Sequence, residues 1–430
     1  MGPEFPVLQA KHAGGGNVMT LEQAYDRTIL SDQTIITAYI EIQKANLTAL
    51  GTLTTLGPSV TGSLGKGTSG TSTRFPDQNY TTHSHSDSGT ASISYRQTLI
   101  DFTVLPAWRQ GKLGIQESRL TYQYTVRSVL YDLSDVYYRV LKQRRILAVY
   151  RESLRLAEGQ LDIAQKKAAA GEVLRSDVLN AKVTVEGNRQ LTIEAENALE
   201  SLKSTLRNIL SLPVNAPIEV VEPPEHARTV ASIDRLLMQA MVQREDLRAK
   251  ALFVDQTMEG RKKALAQYAP TVTAQADAAY GDYSGNSRSR QGTWNANIAV
   301  DIPIFTGGQR ELDVANSRNL IDQARLDYDD RAKNIQQEVK DAWLNVRTIE
   351  AYLRSLQVQV EAADQAYLDI QNQYKAGTST SIEVLASLNS LNVVRRDLAA
   401  KSYDYEIALR KIDEVIGVFQ EERVQKLNMK

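Results

Sequence analysis

The sequence lacks the features that define several common protein classes. It contains no cysteine, which is compatible with an exported protein that uses no disulfides. Its 50 basic residues balance 51 acidic ones, and no basic cluster indicates nucleic-acid binding. No apolar run reaches the roughly 18 residues that a transmembrane helix needs. There is neither a Walker-type phosphate loop nor an HExxH motif, so we predict no enzyme and no cofactor.

The four histidines do not supply an alternative site. His12, His83, His85 and His226 all fall in predicted loops. His83-Ser84-His85 offers two imidazoles to a metal ion, but two histidines in a loop of Ser and Thr are more often solvated. We therefore predict no metal site.

The N-terminus is predicted to be flexible. Residues 1–5 have neither the basic n-region nor the apolar h-region of a signal peptide. We expect them to be a cloning remnant in place of a removed leader. Residues 1–19, which include a run of three glycines, then form a flexible lead-in.

The main positive feature is a long heptad repeat near the C-terminal half. Small or apolar residues recur there in steps of three and four, the seam of a left-handed coiled coil. They are Ile321, Ala324, Tyr328, Ala332, Ile335, Val339, Ala342, Val346, Ile349, Leu353, Leu356, Val360, Ala363, Tyr367, Ile370 and Tyr374. The seam predicts one helix roughly 100 Å long, at about 1.5 Å per residue.

The same pattern occurs 206 residues earlier, so the chain is an internal duplication. Identities at this offset are Arg119/Arg325, Leu120/Leu326, Asp135/Asp341, Gln165/Gln371, Gly171/Gly377, Val178/Val384 and Leu179/Leu385. We assign residues 1–19 to the N-terminus, 20–220 to the first repeat, 213–230 to an equatorial segment, 231–418 to the second repeat and 419–430 to a tail.

Each repeat is predicted to contain a short helix, a β-hairpin, a long helix and a return helix. The predicted helices are 20–56, 103–169 and 176–210, then 232–268, 309–375 and 381–417. The predicted strands are 58–65 and 90–100, then 270–280 and 293–304, with loops at 66–89 and 281–292. Two short helices placed end to end match the length of one long helix, so we expect them to cover its seam.

Alternation along the strands predicts a sheet with one apolar face. That face carries Val60, Ile93, Tyr95, Val272, Trp294, Ile298 and Val300. An apolar outside and a polar inside indicate a membrane β-barrel, although a soluble sandwich or capping sheet fits the strands as well. Three copies would supply twelve strands, an even number within the barrel range.

On the basis of these patterns, the chain resembles the outer-membrane efflux protein family, the TolC-like and OprM-like exit ducts. The resemblance covers about residues 20–418. Beyond the duplication it rests on three segments: Ile302-Pro303-Ile304-Phe305-Thr306-Gly307-Gly308, Ala170-Gly171 with Asp177-Val178-Leu179, and Tyr374-Lys375-Ala376-Gly377 with Glu383-Val384-Leu385. It implies a homotrimer with a β-barrel in outer-membrane lipid and an α-helical barrel across the periplasm of a Gram-negative cell. It further implies a passive channel, gated at its periplasmic tip, that conducts substrates delivered by an inner-membrane pump and a periplasmic adaptor.

The resemblance also implies site residues. Glu383 matches a carboxylate at the pore constriction, Asp177 is its duplicate partner, and Tyr374 matches a tyrosine of the closed-state latch. The adaptor would contact the turns, at Ala170, Gly171, Ala376 and Gly377. From the residues alone, both acids are ordinary first-turn helix residues, and Tyr374 is the last seam position.

Two positions depart from the family pattern. Ser379 stands where an arginine of the latch would be, and Ala386 where a second acidic ring would be. We therefore expect a gate that is held more weakly, or by other bonds. A structural coiled-coil protein without a pore is the alternative function, but it does not explain the paired hairpins.

Overall fold

The computed structural model describes residues 18–75, 77, 80–224, 230–285 and 288–428. The predictions on residues 1–17, on His12 and on the part of the 213–230 segment that holds His226 lie outside these residues. The chain divides into two compact units. Unit 1 comprises residues 1–40, 119–247 and 330–430, and unit 2 comprises residues 41–118 and 248–329.

The helices are α1 (Leu21–Ser31), α2 (Gln33–Thr54), α3 (Val104–Ala169), α4 (Arg175–Ile209), α5 (Ile233–Gln243), α6 (Glu245–Ala266), α7 (Gln309–Ala376), α8 (Ser381–Val415) and α9 (Glu421–Asn428). The two long helices, α3 and α7, have 66 and 68 residues. Within the described residues, no helix combines the length and the apolar composition that crossing a membrane requires.

The two short helices of the prediction are each interrupted, so predicting them as single helices was wrong. Asp32, with φ −73° and ψ 127°, separates α1 from α2. Its carboxylate accepts the backbone N–H groups of Thr34 at 2.8 Å and Ile35 at 3.1 Å, as an N-cap residue does. Arg244, with φ −63° and ψ 120°, separates α5 from α6 in the same way. A single residue with extended backbone angles therefore outweighs the continuous helical pattern.

Arg244 belongs to a buried ionic network in unit 1. Its Nη2 lies 2.8 Å from Asp246 Oδ2, and its Nη1 pairs with Glu338. Arg331 Nη2 lies 2.6 Å from the same oxygen of Asp246 and Nη1 lies 2.8 Å from Glu338 Oε1. Burial raises the pKa of Asp246, but the hydrogen bonds and charges of the two guanidinium groups outweigh it and lower that pKa overall.

The strands are β1 (Val18–Met19), β2 (Pro58–Phe75), β3 (Tyr80–Ile100), β4 (Glu219–Val220), β5 (Thr271–Ser284) and β6 (Ser289–Asp301). A short parallel pair joins β1 to β4, while β2, β3, β5 and β6 form one antiparallel sheet in that order. The predicted four-stranded sheet is confirmed.

The strands run much further than predicted, and the loops assigned to 66–89 and 281–292 were wrong. The β2–β3 ladder continues to Phe75 opposite Tyr80, whose rings stack at 5.1 Å. Hydroxyl groups support the extension, since Thr68 Oγ1 donates to Asp87 Oδ1 at 2.7 Å. The Gly, Ser and Thr composition suggested a loop, but ladder pairing depends on the partner strand, which composition does not show.

The register places the seven predicted apolar residues on one face of the sheet. Directly paired residues of an antiparallel sheet project to the same side. Val60 pairs with Tyr95, and Val272 pairs with Val300. Ile93 pairs with Ala278, which on its other side pairs with Trp294, and Ala274 pairs with Ile298. The opposite face carries polar side chains, among them Ser63, Ser92, Asp277 and Asn295.

Candidate functional site at the helix turns

The candidate site lies where α3 turns into α4 and α7 turns into α8, within unit 1. Buried residues of all four helices form one apolar cluster there. Its members are Ala157, Val185, Tyr367, Tyr374, Val384, Leu388 and Leu391. Gln160 Nε2 adds a cross-helix hydrogen bond to the Tyr367 hydroxyl at 3.1 Å. The heptad seams of both repeats therefore converge on the end of the helices that carries the turns.

Both turns end their long helix in the same way. Gly171 has φ +78° and Gly377 has φ +83°, the left-handed conformation that favours glycine. The amide that follows each glycine bonds back five residues, from Glu172 to Lys167 O and from Thr378 to Gln373 O, both at 2.9 Å. This is the Schellman motif. The flanking alanines of the two turns, at 170 and 376, are exposed.

Glu383 lies in the first turn of α8, exposed, and its carboxylate serves as a helix cap. Oε2 accepts the backbone N–H of Thr380 at 2.8 Å and the Ser379 hydroxyl at 2.5 Å. Thr380 Oγ1 accepts the Glu383 N–H at 3.3 Å, which completes a capping box. The hydrogen bond from Ser379, supported by those from Thr380, lowers the pKa of Glu383. A negative charge is therefore held at this turn, and Ser379 orients it.

Asp177 occupies the equivalent position at the start of α4, but its cap is weaker. It accepts only the backbone N–H of Leu174, at 3.2 Å. Leu174 has no side-chain oxygen to cap the helix and is 73% exposed. The duplication thus preserves the acid at both turns but preserves the complete capping box only at α8.

Tyr374 is buried within its own chain, and Lys167 lies over its ring at 4.8 Å from the ring centre. Lys167 Nζ also donates to the Tyr374 carbonyl oxygen at 2.7 Å, which ties the end of α3 to the end of α7. Burial raises the pKa of Tyr374, and the charge of Asp177 raises it further. The structure therefore brings Tyr374 and Lys167 into contact, and Asp177 is near enough for its charge to act on the tyrosine. The sequence offered no signal for Lys167, because its duplicate position is Gln373.

The His83-Ser84-His85 segment lies in β3 rather than in a loop. Both imidazoles are exposed on the face that carries Tyr95, and His85 Nε2 lies 3.5 Å from Asp87 Oδ1. No cluster of three or more His, Asp or Glu residues that could hold a metal occurs in the part of the chain that the structure describes.

A family model described as "Outer membrane efflux protein" matches residues 24–211 and 236–418. The chain belongs to the outer membrane efflux protein family. The predicted location in the outer membrane is confirmed.

Individual members of the outer membrane efflux protein family are distant from this chain in sequence. The outer membrane efflux protein BepC of Brucella suis is 24% identical over 74% of this chain and 70% of its own length. The outer membrane protein TolC of Escherichia coli is 23% identical over 80% and 72%. The fold matches the Campylobacter jejuni CmeC outer membrane channel with a TM-score of 0.77 at 17% identity, over 93% of this chain and 86% of that one.

Proposed function

We propose that three copies of this chain form a passive channel through the outer membrane, the exit duct of a tripartite efflux or type I secretion system. Family members are channels rather than enzymes. The observation that carries the proposal is the four-stranded sheet of unit 2, which leaves an apolar face uncovered. On this face Trp294 is 83% and Ile298 71% exposed. Apolar surface of this kind in a protein of the outer membrane has lipid as its natural partner.

The size of the apolar face supports a membrane location. Its rows run from the Val272–Val300 pair to the row of Leu64 and Tyr280. Eight steps at about 3.4 Å give roughly 27 Å along the strand. A strand tilt of about 40° reduces this height to roughly 21 Å, close to the apolar band of about 25 Å in membrane barrels.

The outer strands of the sheet support a trimer. β2 and β6 stand at its two edges, and an unpaired edge in lipid would leave backbone groups without hydrogen bonds. Pairing β2 of one copy with β6 of the next closes three sheets into twelve strands. Exposed leucines of unit 2 offer further apolar surface to neighbouring copies, such as Leu47 in α2 and Leu326 in α7.

The turns would form the gate at the periplasmic end. Around a threefold axis, Glu383 gives a ring of three carboxylates that attracts cations and resists anions, and Asp177 gives a second ring. Tyr374 and its carbonyl would belong to the contacts that keep the tip closed. The exposed turn residues at 170–171 and 376–377, beside Leu174, are available to an adaptor that couples the channel to an inner-membrane pump.

The test is single-channel conductance of the purified full chain in a planar bilayer of neutral lipid. Glu383→Gln removes the charge but keeps the cap, because Gln23 Oε1 accepts the Thr20 N–H at 3.1 Å in the capping box of α1. Thr380→Ala is the matched control, since it removes the cap hydroxyl and leaves the charge. We expect a cation-selective pore whose selectivity falls in Glu383→Gln and persists in Thr380→Ala.

Two results would count against parts of the proposal. A pore with the same selectivity in both variants would remove Glu383 from the constriction and leave the channel intact. A folded trimer that does not insert into the bilayer would favour the structural coiled-coil alternative.

A further inference from the structure

Beyond the apolar rows, the sheet carries a set of charged residues that the channel function does not use. The last apolar row is Leu64, Ala91, Tyr280 and Gly292. The next row towards the hairpin tips is Lys66, Gly89, Asp282 and Arg290. Lys66 is two residues beyond Leu64, or about 7 Å along the strand. The change from apolar to charged is therefore abrupt.

All charged residues of the described strands beyond the apolar rows lie on this one face. Arg74 pairs with Thr81, His83 with Ser72 and His85 with Gly70, which places them on the side of Lys66. The opposite face of the same stretch carries uncharged residues such as Ser69, Thr71, Thr73, Thr82, Ser84 and Ser86. Besides Ser, Thr and Gly, the opposite face carries the uncharged residues Phe75, Tyr80 and Tyr283, so the charges are confined to one side of the sheet.

The face is basic on balance. Lys66, Arg74 and Arg290 of the strands, with Arg288 just before β6 and paired with Asp282, supply four cations against the two carboxylates Asp87 and Asp282, a net charge of +2 with the histidines neutral. Asp282 holds Arg288 at 2.9 Å and Arg290 at 3.4 Å. These two guanidinium groups still have side-chain exposures of 65% and 61%, so they keep donors available to an outside anion.

We propose that the basic residues nearest the apolar rows, the basic belt of Lys66, Arg288 and Arg290, bind phosphate groups of lipid headgroups at the membrane surface. The inference rests on the proposed insertion of the sheet. The tips lie at the opposite ends of the strands from the helices, so the belt meets the leaflet away from the periplasm. A lipid can place its chains on the apolar rows and its phosphates one row further, where arginine and lysine bind phosphate well.

The test measures binding of lipid A, which carries two phosphates, to the purified full chain in micelles of neutral detergent by native mass spectrometry. The variant combines Lys66→Gln, Arg288→Gln and Arg290→Gln. Arg96→Gln is the matched control, because Arg96 is exposed on the opposite face of the same sheet. One cation near an anionic surface contributes about fivefold to binding, so the triple variant should lose on the order of 100-fold. Arg96→Gln should bind as the unaltered chain does.

Lipid A without its phosphates separates this proposal from simple apolar contact. Binding that is equally strong without the phosphates, or lost equally in Arg96→Gln, would overturn the basic belt. Full competition by inorganic phosphate would also overturn it, since the site would then be one for free anions. Conductance in neutral lipid tests the channel separately, because it should be the same for the triple variant and the unaltered chain.

Discussion

Lys167 is the residue whose removal should loosen the turns most selectively. Its ammonium group donates to the Tyr374 carbonyl at 2.7 Å and lies 3.7 Å from Glu172, with only 16% of the side chain exposed. Lys167→Met keeps most of the apolar stem and removes the charge. A hydrogen bond from a charged group contributes about 1.5–3 kcal/mol. Solvent screens this bond little, because the side chain is mostly buried.

The bond joins α3 to α7, so any widening of the tip that separates the ends of these helices must break it. Losing about 1.5–3 kcal/mol from the closed form raises the open-to-closed ratio by about 10- to 150-fold, at 1.4 kcal/mol per factor of ten. The assay is the open fraction in single-channel recordings of the full chain. We expect long openings in Lys167→Met at voltages where the unaltered channel stays mostly closed.

Lys166 provides the control. It is the preceding residue, also in the last turn of α3, and its side chain is 75% exposed in a pair with Asp162. Lys166→Met therefore removes the same charge from the same helix end without touching α7. Equal behaviour of the two variants would refute the reasoning, because the effect would then belong to the net charge and not to the bond.

Two further predictions concern stability. Asp246→Asn should cost about 3–5 kcal/mol, because it leaves buried Arg244 and half-buried Arg331 without their shared carboxylate. Since the folded pKa of Asp246 is lowered, its stabilisation is complete above the unfolded pKa of about 3.9 and is lost as the pH falls through the folded value. Thermal unfolding followed by circular dichroism should show a constant deficit above about pH 5 that shrinks below about pH 4; a deficit that does not depend on pH would contradict this linkage. Gly377→Ala should cost about 1–2 kcal/mol at its φ of +83°, whereas Gly187→Ala, inside α4, should gain about 0.5–1 kcal/mol. A Cβ meets no atom within 4 Å at either glycine, so equal effects in chemical denaturation would refute the backbone explanation.

The long helices could be predicted from the sequence because their seams are local and repeated. Val339, Val346 and Ile349 are buried in the structure, as a seam requires, and each heptad supports the same assignment. The breaks at Asp32 and Arg244 were missed for a related reason. A search for periodicity averages over many residues, while one residue with extended backbone angles is enough to end a helix. Asp32 was a usable N-cap signal, but Arg244 had none, because its partner Glu338 and the Arg331 that shares Asp246 are brought near only by folding.

The strands could be predicted only in part, because their pattern is clear at one end and absent at the other. Alternation identified Val60, Ile93 and Trp294, where apolar and polar residues differ clearly. It failed beyond Leu64, because Ser, Thr and Gly alternate with one another and have no apolar period to detect. The sparse charges carried the missing signal: Lys66 and Arg74 lie eight positions apart, and His83 and Asp87 lie four positions apart, so each pair falls on one face of its strand. Even spacing of charges in a polar stretch indicates one face of a strand.

The two turns differ in how they are capped, although the duplicated sequence makes them look equivalent. The glycine, the acid and the seam recur at the same offset, so the sequence predicts two equivalent turns. The structure shows that they are held differently, since α8 begins with Thr380 and a complete capping box, while α4 begins with Leu174. In a ring built from three chains, firm and loose turns would alternate around the axis. An adaptor that acts on such a ring would need less free energy to move the α3–α4 turn than to move the α7–α8 turn. The hydrogen bond from Lys167 to the Tyr374 carbonyl would resist separation of the two turns.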